Sequence, residues 1–226
     1  AVESKTDKNP NILVILIDDA GYNDFGFMGS KEMQTPNIDA LTSEGVVFTD
    51  AHVAATVSSP SRACLITGRY GHRFGYECNL SDRTNGLPLE EETIAEVFKT
   101  NGYRTAAIGK WHLGSRDEQH PNNRGFDLFY GMKAGGRDYF YNEKKSDRPG
   151  DERNLLLNDR QVKFEKYLTD AFSEKAVEFI NESSQPFMMY LAYNAVHTPM
   201  QATDEDMAKF EGHPRQKLAA MTYALD

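Results

Sequence analysis

Residues 11–19 read Asn-Ile-Leu-Val-Ile-Leu-Ile-Asp-Asp. Six apolar residues in a row, three of them β-branched isoleucines and a fourth a valine, make a strand-sized run. It falls far short of the roughly 20 residues of a membrane span. An unbroken apolar run predicts a strand buried on both faces, as in a parallel sheet. Working outward, Thr35-Pro36 opens a helix that runs to about Glu44, with Gly45 as its stop. Val46–Val53 reads as a second strand. A loop then leads into a helix over Pro60–Thr67. Glu91–Asn101 reads as another helix, closed by Gly102. Arg104–Gly109 is a third strand, Tyr167–Ser183 a long amphipathic helix with Ala171, Phe172, Ala176, Val177, Phe179 and Ile180 among its apolar positions, and Phe187–Asn194 a fourth strand. Pro214–Leu225 reads as a final helix. Strands alternating with helices predict an α/β fold, with a mostly parallel central sheet flanked by helices. Arg116–Gln161 breaks the rhythm. It is rich in Gly, Asp, Asn, Arg and Tyr and reads as a long loop region with short elements, the kind that often carries function.

At 226 residues the chain is long enough for one domain with a sizeable core. Its formal net charge of −9 argues against a general nucleic-acid binder. An anionic small-molecule substrate is still compatible, because a local cluster of cations overrides the global sign. Residues 1–10 read as a polar tail of the kind left after removal of a signal, and 11–226 as folded domain. The two cysteines, Cys64 and Cys78, give no disulfide framework; Cys64 reads as a small buried hydrophobe.

Four places carry chemistry. Asp18 and Asp19 end the first strand, and ligand sites in open α/β sheets lie beyond the carboxyl ends of strands. Adjacent carboxylates there call for a cation or for donors, and oxygen ligands suit a hard metal. A turn with one Asp capping a backbone N–H is the simpler alternative. Gly109-Lys110-Trp111-His112-Leu113-Gly114 follows the third strand. Lys110 and His112 are two apart, so on extended backbone they share a face. An ammonium beside an imidazole can bind a tetrahedral anion and move a proton. Asn194-Ala195-Val196-His197-Thr198-Pro199 puts His197 beyond the fourth strand. Finally, Ser58-Ser59-Pro60-Ser61-Arg62-Ala63-Cys64-Leu65-Ile66-Thr67-Gly68-Arg69 sets a small hydroxyl residue before a Pro-initiated helix, with an Arg four positions on and Gly68 just past the end. Such a helix start offers free N–H groups to an anion. An ordinary helix capped by Ser58 or Ser59 is the bland alternative.

Ser58, Pro60, Ser61, Arg62, Thr67 and Gly68 fit the pattern Ser/Cys-x-Pro-Ser-Arg-x-x-x-x-Thr-Gly, which resembles the signature of the type I sulfatases of the alkaline-phosphatase superfamily. The resemblance implies that residue 58 is oxidised to formylglycine, whose hydrate attacks the sulfur of a sulfate ester. It implies that Asp18, Asp19 and residue 58 bind a divalent cation, calcium before magnesium. It gives Arg62 the formylglycine hydroxyl to hold, Lys110 the sulfate, His112 the breakdown of the sulfated intermediate, and His197 a contact to sulfate with protonation of the leaving oxygen. Gly135–Tyr141 reads either as a lining of the substrate pocket or as a surface loop. Among the other histidines His72, close to the signature helix, is the one nearest to a role.

The resemblance covers Asn11 to about Leu225. Family members are longer, with a later Asp-Asn or Asp-His pair completing the metal site and a later Lys completing the sulfate pocket. The chain is therefore expected to be the N-terminal part of a catalytic domain, acting with the C-terminal part of the same protein. The serine version of the signature implies a bacterial, exported enzyme, periplasmic or secreted, matured by a radical iron–sulfur enzyme. A sulfated glycan or sulfated small molecule is the expected substrate. Two other readings compete: a phosphate mono- or diesterase of the same superfamily using Ser58 directly, and a non-catalytic protein that binds sulfated glycans.

Overall fold

A computed structural model describes residues 9–79, 86–142, 148 and 150–226; the expected tail at 1–10 lies almost wholly outside the described residues. Its centre is a six-stranded sheet of strands β1 (Ile12–Leu16), β2 (Arg104–Lys110), β3 (Leu128–Met132), β4 (Leu156–Leu157), β5 (Arg160–Gln161) and β6 (Phe187–Ala192). The spatial order is β1-β6-β2-β3-β4-β5. β1, β6, β2 and β3 run parallel, with Leu13 opposite Met189 and Ile108 opposite Leu191. The two short strands add antiparallel at the far side. The α/β fold with a mostly parallel sheet is therefore as expected.

Period two decides which side chain goes where. Ala106 and Ile108 of β2 and Met189 and Leu191 of β6 face one layer. Ala107 of β2 and Met188, Tyr190 and Ala192 of β6 face the other. The first layer is covered by helix Leu168–Glu182, which presents Leu168, Phe172, Ala176 and Phe179 at helical spacing. Val177 and Ile180 of that helix point away and are exposed. The second layer is covered by helix Ser58–Thr67 through Ala63 and Ile66, and by helix Ile94–Thr100 through Ala95. The latter starts in a capping box, where Thr93 accepts from Glu96 N–H and Glu96 accepts from Thr93 N–H. Helix Pro36–Glu44 has Pro36 at its first turn. Its free N–H groups at Asn37 and Ile38 donate to the carboxylate of Asp226, at 2.9 and 2.8 Å, which ties this helix start to the end of the helix Gln216–Leu225. Helices Asp204–Lys209 and Gln216–Leu225 complete the structure. Among the described residues no helix is long and apolar enough to cross a membrane.

Three expectations need correction. β1 is a strand, but at the sheet edge: Leu13 and Ile15 stay exposed on one face. An unbroken apolar run reports that a strand can be buried twice, not that a second layer is at hand. Val46–Val53 forms no strand, and Val46, Val47, Phe48 and Val53 are exposed. Strand propensity there has no ladder to join, and an unpaired strand has no stability of its own. Conversely, the region 116–161 contains β3, a parallel neighbour of β2. Its sequence, Leu-Phe-Tyr-Gly-Met, hides behind a glycine that normally weakens a strand. That glycine is needed. Gly131 pairs with Gly109, and a Cβ on Gly131 would collide with the Gly109 carbonyl.

Candidate active site

The site is built at the carboxyl ends of β1, β2 and β6 together with the N-terminus of the helix Ser58–Thr67. Beyond β1 the parallel ladder continues: Asp18 N–H donates to Ala195 O at 2.8 Å, and Val196 N–H donates to Asp18 O at 2.7 Å. This locks the first carboxylate and the His197 loop side by side. Asp19 and His112 both take a positive φ, 58° and 56°. That conformation is costly for a side chain with a Cβ and concentrates at functional sites.

The signature helix starts two residues earlier than its proline suggests. Ser58 is its first residue, Val57 its N-cap, and neither Ser58 nor Ser59 caps it. Pro60 lacks an N–H at one of the four positions where none is needed for the helix. Ser59 instead fixes the helix start. Its hydroxyl meets Tyr76 Oη at 2.6 Å and His112 O at 2.7 Å, and its N–H donates to Asn79 Oδ1 at 2.9 Å.

Ser58 Oγ is held from two sides. Arg62 Nε donates to it at 3.1 Å, and His112 Nδ1 lies at 3.0 Å. Because the arginine is donor only, the serine's own proton is available to the imidazole. Arg62 is buried and fully engaged: Nη1 donates to Lys110 O and to Tyr190 Oη, both at 3.2 Å, and Nη2 pairs with Asp18 Oδ1 at 3.1 Å. Lys110 Nζ takes the other oxygen, Asp18 Oδ2, at 2.5 Å. Two buried cations therefore share one buried carboxylate. Burial, with Arg62 beside it, lowers the Lys110 pKa to about 8 against the opposing pull of Asp18. Burial, then Lys110 and Arg62, lowers that of His112 to about 4, leaving its imidazole neutral near pH 7. His197 sits at the mouth. Its Nδ1 lies 2.6 Å from Thr198 O and must be the donor, while Nε2 faces Asp19 Oδ2 at 3.7 Å.

Every residue singled out as a site candidate thus converges: Ser58, Arg62, Lys110, His112 and Asp18 in one hydrogen-bonded cluster, His197 and Asp19 at its rim. His72 does not join them; it is exposed on the turn Gly71–Phe74. Four contributors escaped the sequence reading. Tyr190 orients Arg62, Ser59 and Tyr76 anchor the helix start, and Tyr139 holds the His197 loop by donating to Asn194 O at 2.6 Å and His197 O at 2.8 Å. A tyrosine inside an apolar strand, as Tyr190 is, signals a hydroxyl in need of a partner. The Gly135-Gly136 segment lies against both imidazoles. A Cβ on Gly135 would sit 2.7 Å from His112 Nε2, and one on Gly136 3.3 Å from His197 Cε1.

Asp18 and Asp19 supply hard oxygen donors suited to calcium or magnesium. Among the described residues no group of three His, Cys, Asp or Glu side chains forms around them. They fit as part of a site, since calcium takes about six to eight oxygen ligands.

A family profile described as Sulfatase matches residues 10–223. The chain belongs to the sulfatase family. It is 38% identical to mouse arylsulfatase G over 223 residues, covering 86% of this chain and 42% of that protein. It is 32% identical to human N-acetylgalactosamine-6-sulfatase, covering 86% and 41%. Among solved structures it superposes on Ps i-CgsB in complex with k-i-k-neocarrahexaose with a TM-score of 0.91 and 43% identity, over 96% of this chain and 52% of that one. BT4656 in complex with D-glucosamine-2-N,6-O-disulfate follows at TM-score 0.75 and 27% identity, over 90% and 38%. The chain therefore spans about two fifths of the length of these curated relatives.

Proposed function

We propose that this chain carries the nucleophile and half of the anion site of a sulfuric ester hydrolase acting on sulfated carbohydrates. The carrying observation is the placement of Ser58 Oγ between Arg62 Nε and His112 Nδ1, next to a buried cluster with more positive than negative charge. Names of the relatives support the substrate class. Two of them are sulfatases by name, and two solved neighbours hold a carrahexaose and a sulfated glucosamine.

An unmodified serine is a weak nucleophile. Oxidised to formylglycine and hydrated by one water, residue 58 would offer two hydroxyls on one carbon in its place. One attacks sulfur as the alcohol leaves. The other loses its proton when the bond from carbon to the sulfated oxygen breaks, which expels sulfate and restores the aldehyde. Asp18 and Asp19, with the oxygen on residue 58, would hold a divalent cation, calcium in our reading, that supplies Lewis-acid polarisation when bound. The chain's own residues do the rest. Arg62 fixes the oxygen on residue 58 from one side. Lys110 and Arg62 present preset positive charge to the non-reacting oxygens of the sulfuryl group, and being buried they do so without competing water. His112 Nδ1, neutral and in contact, takes a proton from the oxygen on residue 58. His197, at the mouth, is placed to give one to the leaving alcohol. Its Nδ1 proton is committed to Thr198 O, so the proton given is the one on Nε2 of the imidazolium.

The serine in the signature supports a bacterial, exported protein matured by a radical iron–sulfur enzyme. The second half of the anion site would come from the remainder of the same protein. The test is the mass of the peptide containing residue 58, from the whole protein made in a maturation-competent host. Loss of two hydrogens, together with loss of sulfate-ester turnover in Ser58→Ala, is the expected result. Unmodified Ser58 in protein that turns over phosphate esters would transfer the assignment to the phosphoesterase branch of the superfamily.

A further inference from the structure

Next to His197 opens a cleft of about 580 Å³, lined by Gly136, Arg137, Asp138, Arg148, Arg153 and the 197–199 turn. This is within the range of about 300–1,000 Å³ usual for small-ligand sites. Its wall carries three guanidinium groups and Asp138, in a chain whose net charge is −9, and Asp151 pairs with one of the three, Arg153. None of the three arginines belongs to the cluster around Ser58. We propose that this cleft is a subsite for a second anionic substituent of the substrate, a sulfate or carboxylate on the sugar next to the one that loses its sulfate. The inference rests on the sulfate-ester reading above and adds the substrate's charge pattern to it.

Two of the three arginines are held in place before any ligand arrives. Arg153 is clamped by Asp151, with Nε to Oδ1 at 2.9 Å and Nη2 to Oδ2 at 2.7 Å. Arg137 is buried and lies 4.6 Å above the ring of Phe164. Arg148 is exposed at the rim. A planar fork of N–H donors matches the geometry of a sulfate or carboxylate, which a lysine would not. Gly136 lines the cleft next to His197, where even a Cβ would come within 3.3 Å of the imidazole. The cleft adjoins the Ser58 cluster through one shared residue, His197.

The test uses two oligosaccharides with the same scissile sulfate, one of them carrying a second sulfate on the adjacent sugar. With the whole matured protein, kcat/KM is expected to favour the doubly sulfated one by about tenfold or more, the scale of one charge-assisted hydrogen-bond pair. Raising the salt should shrink that preference. Arg148→Gln, and separately Arg153→Lys, should bring the ratio of the two substrates towards one, through KM. Equal kcat/KM on both substrates in the wild type, or a ratio that the variants leave intact, overturns the subsite while the sulfatase reading stands. Should the protein cleave neither substrate, that reading fails, and calorimetry of the same two oligosaccharides with Ser58→Ala protein decides the subsite. Tighter binding of the doubly sulfated one, lost in Arg148→Gln, upholds it; equal binding refutes it.

Discussion

Gly135→Ala tests whether His112 works from the position the fold gives it. The new Cβ would stand 2.7 Å from both Cε1 and Nε2 of His112 and 3.1 Å from Nδ1. That is about 0.7 Å inside the 3.4 Å at which ordinary contact begins. The alanine backbone itself is permitted there, since Gly135 is not among the positive-φ glycines. The ring must therefore give way. It is tethered through Nδ1 to Ser58 Oγ at 3.0 Å, and its backbone N–H donates to Lys133 O at 3.1 Å. A shift of that size stretches the Ser58 contact beyond hydrogen-bond reach. Misplacement by about 1 Å costs on the order of 10²-fold in rate, or roughly 2.7 kcal/mol of barrier. The expected outcome is a kcat on a sulfated substrate lower by about that factor, with KM and thermal unfolding little changed. Gly136→Ala is the internal control. Its Cβ would meet His197 at 3.3 Å, a contact that a few tenths of an ångström relieve, so its loss should be much smaller. A Gly135→Ala enzyme with kcat within twofold of wild type would refute the assignment of proton transfer to His112 in this position. So would equal losses in the two variants.

Two further outcomes concern the framework. Gly109→Ala puts a side chain on a residue with φ 104°, facing the Ala192 carbonyl of the neighbouring strand. The left-handed backbone alone costs about 1–2 kcal/mol and the collision adds to it; a fall in Tm of at least about 4 °C is expected by calorimetry. Asp127→Asn removes the ion pair with Lys99 at 2.7 Å and leaves a neutral amide oxygen where a carboxylate accepted from Thr105 N–H at 3.0 Å. Burial pushes the Asp127 carboxyl up, but the bonds from Lys99 and Thr105 outweigh it and its pKa lies below the ordinary value. A lowered folded pKa stabilises the fold above the unfolded value, near pH 4, and that contribution is lost as pH falls through the folded value. Wild type should therefore unfold at a higher temperature than Asp127→Asn at pH 7, and the two should converge in acid below about pH 4; a difference that persists at pH 2 contradicts the reasoning.

That the candidate residues come together was more legible than the sheet that carries them. Ser58, Arg62, Lys110, His112 and His197 sit in short segments where residue type and spacing are set by chemistry within a few ångströms, so each could be read locally. The expectation that Lys110 and His112 share a face holds although His112 leaves the extended conformation, because Trp111 between them is drawn into the core against Phe126. What failed was information about neighbours. Ile12–Leu16 and Val46–Val53 both read as strands, the second with Thr49, Asp50 and His52 among its apolar residues, yet only the first finds a partner, β6, whose residues come about 175 positions later. β3 was hidden for the opposite reason: its glycine answers to the Gly109 carbonyl on the next strand, a contact that pattern within one segment does not contain. Tyr190 shows the same thing for the site. Its hydroxyl serves Arg62, 128 residues away in sequence.

The charge arrangement around Asp18 argues that the fold is prepared for an anion. Arg62 and Lys110 are both buried, and both bind the same carboxylate. One buried negative charge cannot neutralise two buried positive ones, and an excess charge held away from water is costly. The protein limits the cost with neutral acceptors, the Lys110 carbonyl and the Tyr190 hydroxyl, both of which serve Arg62. Among the described residues Lys110 Nζ has the Asp18 carboxylate as its acceptor, and burial with Arg62 beside it lowers its pKa to about 8. A fold optimised only for stability would put an apolar side chain at position 110. Retaining the lysine makes sense where a ligand brings the missing negative charge. That ligand would be bound by groups already in place, which need no rearrangement to hold its charge.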